Sequence, residues 1–535
     1  MDSPNAYFAR QDGGRILFVV VNIESSMSDD NLIKSIDSAI GLVKWFVLQV
    51  VLYFLMPYVW NYEYGVGTIV SIFLYTAFYE VYWNFMPKEK RMRWVFAPYL
   101  TYGVVVTMLF AIVDNWSVSL WTCWILPVYG LTCLIGVKLL RKFTRSVWKQ
   151  SKLGSVVKYS LILGIFIVLK ALSVPYMCQE HNSADSEKED ILERRNYLVD
   201  KLVTTPRKVL NEMPAGIGTQ FQGEWALYSC SMLSAALVNL SHLYPETLEE
   251  NQQHLDSLIQ IVMSPEMRYY DTMRWNEDPL ESLHGDNSHV SYLSHLAWMI
   301  CGYKEIGGDN KYDKLLASLC ETMNHRIVLS KGFNLPTYPG EAIYIPDMLV
   351  AIVALDQYSD MNKGRFRSTV REWIQKAQKE WIDEKTGLLV SFVDDAGKQY
   401  DGAPVKGSYS ALNCYYLTFI DEAFAKQQYE KLKSLFWKDS FVTGLKEYWD
   451  RTCPIGLDMD AGPILFELSP SGTAFLAGTS AFFNDSVVSK GILKTAEIAG
   501  HTIQMGNKRH YLLADMALVG EAIMLAMRTN RKRDL

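Results

Sequence analysis

Five long apolar runs occupy the first third of this 535-residue chain, and they restrict its fold more than any other feature. Each is close to the roughly 20 residues that a helix needs to cross the hydrocarbon core of a bilayer. They run from about Ala39 to Trp60, Gly65 to Phe85, Trp94 to Val113, Val118 to Val137 and Ser155 to Val174. The sequence therefore predicts an N-terminal segment, residues 1–37, followed by five transmembrane helices within residues 38–175.

The charges between these runs predict the orientation of the chain. Residues 87–93 (PKEKRMR) and 138–152 (KLLRKFTRSVWKQSK) are strongly basic, whereas residues 61–64 and 114–117 contain no Lys or Arg. Lys and Arg accumulate on the cytoplasmic side of membrane proteins. We therefore expect an integral membrane protein with a cytoplasmic N-terminus. Everything after the fifth run should face the periplasm, the extracellular space or an organelle lumen.

The remaining two thirds of the chain have a different composition. Up to residue 175 there are 16 Lys and Arg against 10 Asp and Glu, and after it there are 36 against 48. A polar linker, residues 176–188, precedes a second domain, residues 189–535. No Walker lysine follows the closely spaced glycines of MPAGIGTQFQG, and we expect neither nucleotide nor nucleic-acid binding.

The second domain has the hydrophobic periodicity of helices, broken by turn signals. The predicted helices cover about residues 188–211, 222–242, 246–263, 287–305, 310–328, 346–358, 363–382, 408–419, 421–437, 471–483, 487–499 and 511–528. One short β-hairpin is predicted within GLLVSFVDDAGKQYD, residues 387–401. The twelve helices do not alternate with predicted strands, as they would in a fold with a parallel sheet. They favour an all-α fold, an (α/α)6 barrel of six helix pairs. A superhelical repeat array would need a fixed sequence period, and none is found.

The loops between the predicted helices are rich in aromatic and acidic residues, which is typical of a site carried on a rigid scaffold. In YPGEAIYIPD, Glu341 lies outside any helix between Tyr338 and Tyr344, which favours a site role. Asp347 follows Pro346 at a helix start, where an acid is also ordinary helix-capping chemistry. Other acids that begin or precede helices are Glu224, Asp286, Asp401, Asp460 and Glu467. Sequence spacing does not reveal which pair of acids meets.

A strip of His289, Tyr292 and His295 lies at three-residue spacing in an otherwise apolar helix, so the three side chains share one flank. Zinc-protease helices carry histidines four apart with a glutamate between them, and that pattern is absent. We predict no metal site. For His295 a general acid or base and a hydrogen-bonded core histidine remain alternatives, while His289 fits a core histidine better.

Residues 220–485 resemble the linalool dehydratase/isomerase family. The similarity lies in LYSCSMLSAALVNLSHLYP, in YLSHLAWMICGYKEIGGDNKYD, and in GSYSALNCYYLTFIDEAFAKQQYEKLKSLF after IDEKTGLLVSF. The resemblance implies an (α/α)6 barrel and acid/base dehydration and isomerisation of a terpenoid alcohol with no cofactor.

The resemblance also implies site residues. Tyr228 and Tyr409 fall where the family has pocket tyrosines, and His295 falls where it has a catalytic histidine. The paired cysteines of the family would fall near Leu335 and Tyr344, where this chain has none. We therefore predict that Glu341 or Asp347 acts with His295 in place of the thiols. Tyr292, Tyr338 and Tyr344 complete the predicted substrate-binding residues.

Three functions follow as hypotheses. The first is a membrane-anchored lyase or isomerase of the dehydratase/isomerase type, acting without a cofactor on a terpenoid or other lipid-derived alcohol, with a homo-oligomer as one option. The second is a glycoside hydrolase or lyase acting on an envelope or lipid-linked glycan, and the third is a non-catalytic membrane-bound binding protein. Two carboxylates facing each other across the pocket would favour the glycan enzyme. A closed apolar cavity with one acid beside His295 would favour the alcohol enzyme.

Overall fold

The computed structural model describes residues 184–214, 218–400, 402–440, 442–458, 460–500, 502–515 and 517–532. The N-terminal segment, the five predicted transmembrane helices and most of the predicted linker lie outside the described residues. The first described helix begins at Ala184, within the segment assigned to the linker.

The described residues are mostly helical, with fourteen α-helices. They are α1 Ala184–Leu202, α2 Pro206–Asn211, α3 Thr219–Leu243, α4 Leu248–Val262, α5 Pro265–Trp275, α6 Val290–Glu305, α7 Asp313–Leu329, α8 Ile345–Met361, α9 Arg367–Glu380, α10 Gly407–Leu417, α11 Glu422–Phe436, α12 Pro470–Phe482, α13 Ser486–Gly500 and α14 Leu518–Thr529. Short 3₁₀ helices cover Pro245–Thr247 and Leu512–Asp515. The predicted helices match all of these except α2, which lies within the helix predicted at 188–211, and α5, where the sequence predicts no helix.

Six helices form a closed ring in which each contacts the next, in the order α3, α6, α8, α10, α12, α14 and back to α3. The other long helices, α1, α4, α7, α9, α11 and α13, pack around the ring and alternate with the inner ones along the chain. This is the (α/α)6 arrangement that the sequence predicts.

Inner and outer helices differ in sequence as their positions require. In α6 every residue from Val290 to Tyr303 is buried, as expected for a helix surrounded by protein. In α9 the buried residues Thr369, Val370, Trp373, Ile374 and Ala377 follow the spacing of a single helix face. The outer helices therefore expose polar surface, while the inner helices fill the core.

The inner helices run parallel, so that all begin at the same end of the barrel. Near their beginnings, Tyr228 of α3 meets Asp347 of α8, and Gly472 of α12 lies against Ser408 of α10. Near their ends, Cys301 of α6 donates to the carbonyl of Ala354 in α8. The loops that lead into the inner helices consequently gather at one end, which we call the loop end.

The strands form four two-stranded antiparallel sheets among the described residues. They are β1 Ile343–Tyr344 with β2 Phe392–Val393, β3 Trp437–Lys438 with β4 Gly444–Leu445, β5 Ile455–Asp458 with β6 Gly462–Leu465, and β7 Thr502–Met505 with β8 Lys508–Tyr511. The predicted hairpin at 387–401 needs correction. Its turn is present, with the Gly397 amide donating to the Asp394 carbonyl, but β2 pairs with the distant β1 and meets its own hairpin partner in one bridge, Val393 to Gln399. The predicted helix at 511–528 begins only at Leu518, because β8 and a 3₁₀ turn take up its first residues.

Among the described residues one helix, α3, has the length and hydropathy of a membrane span, and 78% of its most apolar window is buried in the structure. This helix is part of the inner ring, where the same apolar composition fills the barrel core.

A buried ion network joins the first and last described helices, α1 and α14. Arg194 of α1 lies 3.1 Å from Asp190, 2.8 Å from Glu521 of α14 and 3.6 Å from Glu497 of α13. Arg528 of α14 lies 2.6 Å from the same Asp190. Because these ions are fully buried, each depends on its partners for compensation of the lost hydration.

Candidate active site

Two carboxyl groups with raised pKa values lie at the loop end of the barrel. Glu224 is in the second turn of α3, and Asp347 is in the first turn of α8. Burial, reinforced by the negative charge of Asp347, raises the pKa of Glu224 to about 8. Burial also raises the pKa of Asp347 to about 6, against the opposing hydrogen bond from Thr337. Both residues are partly exposed to solvent, and we call the loop-end surface around them the cleft.

Local sequence explains why Glu224 sits beside helix α5. The preceding residue is Gly223, and a Cβ atom there would lie only 2.5 Å from the Cβ of Tyr270 in α5. Any larger residue would push the two helices apart. The glycine thus brings α5, with Arg274 near its end, against the first turns of α3, and the charge of Arg274 partly opposes the rise in the pKa of Glu224.

Asp347 is held by two hydroxyl groups. The Thr337 Oγ1 donates to its Oδ2 at 2.6 Å, and the Tyr228 hydroxyl donates to its Oδ1 at 3.4 Å. Pro346 occupies the first turn of α8 and restricts the backbone there. The carboxylate also lies at the positive end of the helix dipole, which favours its ionised form. Asp347 therefore lies at the start of helix α8 and also in the candidate site, so one side chain fits both of the roles that the sequence allows for it.

His295 lies deeper in the barrel than the two acids. Its ring packs on Tyr228 with centroids 4.5 Å apart, and a hydrogen bond of 2.8 Å joins its Nδ1 to the Ser231 hydroxyl. It is 1% exposed, and burial lowers its pKa to about 3, so the ring is neutral at physiological pH. Within the described residues its Nε2 has no hydrogen-bond partner. Among the described residues no direct hydrogen bond joins His295 to Glu341 or Asp347, and Tyr228 contacts both His295 and Asp347.

Glu341 lies at the rim of the cleft and pairs with a cation. The Arg274 Nη1 is 3.2 Å from its Oε1, and the Glu341 side chain is 35% exposed. The same guanidinium lies 4.1 Å from the centre of the Tyr338 ring, and Tyr338 is buried. Arg274, Tyr338 and Glu341 thus form one side wall of the cleft.

The opposite wall comes from α10 and the loop before α12. The Tyr409 hydroxyl donates to Asp460 at 2.5 Å. Lys406 lies 2.8 Å from Asp458 and 3.7 Å from Asp460, with its ammonium 4.9 Å from the centre of the Tyr409 ring. The charge of Asp460 contributes to the raised pKa values of both Asp347 and Glu224, which links this wall electrostatically to the acid pair.

Tyr344 joins the same wall. Its ring lies 5.9 Å from Tyr409 and 5.8 Å from Phe392, edge to face in both cases. Phe392 is in turn 6.0 Å from Tyr409. These are favourable separations for aromatic pairs.

Two residues of the histidine strip point elsewhere. The Tyr292 hydroxyl donates to the carbonyl of Val262 at the end of α4, so this predicted substrate-binding residue faces an outer helix instead of the cleft. Three-residue spacing rotates successive side chains by about 60° around a helix, which is enough to separate Tyr292 from His295. His289 is buried, with Nδ1 2.5 Å from Asp271 and Nε2 3.2 Å from Glu277, and it ties α5 to the loop before α6.

The predicted residues Tyr228, Tyr338, Glu341, Tyr344, Asp347 and Tyr409 therefore meet around one cleft, with His295 beneath it. The sequence places Glu224 and Asp460 among the acids that begin or precede helices without giving them a role, and it does not point to Arg274 or Lys406. One signal could have found Glu224, because it precedes Tyr228 by four residues and so shares its helix face. Among the described residues no group of three or more His, Cys, Asp or Glu could hold a metal ion.

The arrangement is suited to proton transfer. At neutral pH a carboxyl with a pKa of about 8 holds a proton, whereas a neighbouring carboxyl with a pKa of about 6 is mostly ionised. One cleft therefore offers a proton donor and a proton acceptor. Pairs of titratable groups with separated pKa values are a common basis of acid/base catalysis.

Comparisons with known proteins add little to this geometry. No family model and no curated protein matches the chain. A solved structure, "Crystal structure of unsaturated glucuronyl hydrolase specific for heparin", is similar with 12% sequence identity and a TM-score of 0.41, over 63% of this chain and 96% of that one. A likeness at this level bears neither on substrate nor on chemistry.

Proposed function

We propose that this protein is an acid/base enzyme acting on a glycan, with Glu224 as the general acid and Asp347 as the partner carboxylate. The observation that carries the proposal is the pair itself: two neighbouring carboxyls in one cleft, with pKa values of about 8 and about 6. Cleavage of a glycosidic bond needs one protonated and one ionised carboxyl at the same time.

In this mechanism Glu224 donates its proton to the oxygen that leaves, and the bond from that oxygen to the sugar carbon breaks. Asp347 either takes a proton from the water that attacks this carbon, or attacks the carbon itself. In the second case water, giving a proton to the ionised Glu224, then cleaves the glycosyl–Asp347 bond. Thr337 and Tyr228 hold the two oxygens of Asp347, which orients the carboxylate before the substrate arrives. Arg274 and Lys406 add hydrogen-bond donors for sugar hydroxyls on the two walls.

The character of the cleft supports a glycan over an apolar alcohol. Several acids, two cations and several tyrosines converge on it, so a ligand rich in hydroxyls would find many partners. His295 is neutral and has no acid beside it, which is unlike the arrangement expected for the alcohol enzyme. The convergence of these polar loop residues also argues against a binding protein without chemistry.

Dehydration or isomerisation of a terpenoid or lipid-derived alcohol is the second candidate. The observation that favours it is Tyr228, which touches both Asp347 and His295 and would connect them in a proton-transfer chain. Glu224 could protonate an alcohol hydroxyl as readily as a glycosidic oxygen. For either substrate we propose that the barrel is anchored to a membrane by residues 38–175 and lies outside the cytoplasm.

The test compares substrates and variants in the purified full-length protein. Fluorescently labelled oligosaccharides of two to six units, varied in sugar and linkage, are assayed beside linalool as the alcohol probe. Glu224→Gln and Asp347→Asn should each lower glycan cleavage by about 10²- to 10⁴-fold, the usual share of a general acid or base. The matched control is Glu372→Gln, an exposed glutamate of α9. Turnover of linalool alone, or full glycan cleavage by either variant, would refute the proposal.

A further inference from the structure

An aromatic row leads from the cleft to the protein surface. It begins at the buried Tyr409, continues through Phe392, whose centroid is 6.0 Å away, and ends at Tyr400, another 6.5 Å along. Tyr344 packs beside the first two rings. The last ring differs from the others because Tyr400 is 46% exposed.

Backbone pairing fixes the position of this row. Tyr344 and Phe392 are direct partners in the β1–β2 sheet. The next residue, Val393, bridges to Gln399 across the tight turn at Asp394–Gly397. The Gln399 side chain donates to the carbonyls of Glu380 at 2.8 Å and Ile382 at 3.1 Å. Tyr400 therefore follows a residue that is tied to the end of α9, and its ring is held at the outer end of the row.

A tyrosine in this position leaves apolar surface exposed to water without a packing partner on one side. Its ring can stack on the apolar face of a sugar, and its hydroxyl can form hydrogen bonds with the hydroxyl groups of the sugar. Tyrosine is common at binding surfaces because it combines an apolar ring with a polar group.

We infer that the cleft takes an extended glycan chain, and that Tyr400 is a specificity-determining residue that stacks on a sugar unit outside the bond to be cleaved. This inference rests on the proposed function, since it adds a subsite to the same cleft. It predicts that catalytic efficiency increases with chain length until a unit reaches Tyr400.

The experiment measures kcat/KM of the full-length protein for the best oligosaccharide of the labelled panel at lengths of two to six units. Tyr400→Ala should lower kcat/KM about threefold to tenfold for the long substrates, as expected for the loss of one aromatic contact. It should leave the shortest cleaved substrate unchanged, and Tyr400→Phe should retain most of the long-chain preference. The matched control is Tyr269→Ala, because Tyr269 is 52% exposed and lies about 140° around α5 from Arg274.

The outcomes separate the two proposals. If no oligosaccharide of any length is cleaved, the proposed function fails, and this inference fails with it. If glycans are cleaved with no dependence on length, or if Tyr400→Ala affects the shortest and longest substrates equally, only the aromatic subsite is refuted. An alkyl glycoside of the shortest sugar is assayed as well. If Tyr400→Ala lowers kcat/KM for this compound as much as for the longer glycan, the row binds an apolar tail and the extended-glycan inference is overturned.

Discussion

The pKa values of Glu224 and Asp347 predict how the reaction rate depends on pH. Below pH about 6 Asp347 becomes protonated and no longer serves as the anionic partner. Above pH about 8 Glu224 loses the proton that it must donate. The plot of kcat/KM against pH should therefore be bell-shaped, with its maximum between these two pH values.

A substitution of Asp460 should shift this bell-shaped pH profile without changing Glu224 or Asp347 themselves. Its negative charge raises the pKa of both Glu224 and Asp347. Asp460→Asn removes the charge and keeps an oxygen that can accept from Tyr409. Two unit charges 4 Å apart in water interact by about 1 kcal/mol, and the Asp460 side chain is 51% exposed. We estimate that its charge contributes roughly 0.5–1 kcal/mol, which corresponds to about 0.4–0.7 pH units.

The assay is kcat/KM against pH for the wild type, Asp460→Asn and the control Glu372→Gln, each at low and at high salt. Both limbs of the bell should move to lower pH in Asp460→Asn alone. The displacement should shrink at high salt, because an exposed charge is screened. Limbs that stay in place at low salt, or that move to higher pH, would show that these carboxyls do not set the profile.

Three further predictions concern single contacts. Tyr228→Phe removes a hydrogen bond that lowers the pKa of Asp347, so the acidic limb should move to higher pH while the alkaline limb stays; an unchanged acidic limb would contradict this. Glu341→Gln breaks a half-exposed ion pair worth at most about 1 kcal/mol, so kcat/KM should fall less than tenfold, and a loss of 10²-fold or more would make Glu341 a catalytic acid. Arg194→Met leaves buried acids unpaired and should lower the free energy of unfolding by about 3–5 kcal/mol. Denaturant unfolding of the full chain measures this change, and an unchanged midpoint would refute the stabilising role of the buried ion network around Arg194.

Most helices could be predicted because their signals are local. The run at 471–483 matches α12, Pro470–Phe482, since Pro in the first turn and the small and apolar residues that follow are visible without any partner. Helix α5 was missed because its sequence, PEMRYYDTMRW, is mostly polar and only Met267, Tyr270 and Asp271 are buried. The β1–β2 pairing was missed because Ile343 and Val393 are 50 residues apart and each strand has only two residues.

The site could be predicted only in part, for a similar reason. Glu341 stands out locally, because an acid outside any helix and between two tyrosines has few structural roles, whereas Asp347 at the start of α8 also fits an ordinary helix-start acid. Burial raises the pKa of Glu224, and the charges of Asp347 and Asp460 add to the rise, but these residues are distant in sequence and meet only when the ring of helices closes. Likewise, nothing in the spacing of Tyr292 and His295 reveals that one faces an outer helix and the other the barrel interior.

The closed ring of helices has a consequence for the synthesis of the protein. Glu224 is carried by α3, whose neighbours in the ring are α6 and α14, and of the described helices α14 is the last to leave the ribosome. Until it does, α3 lacks one neighbour, and the buried partners of Arg194 from α13 and α14 are missing or incomplete. Asp347 and Asp460, whose charges add to the rise in the pKa of Glu224 caused by burial, lie farther along the chain and are also made after Glu224. A chain still being translated would therefore carry its acids without the proton-donor chemistry of the finished barrel.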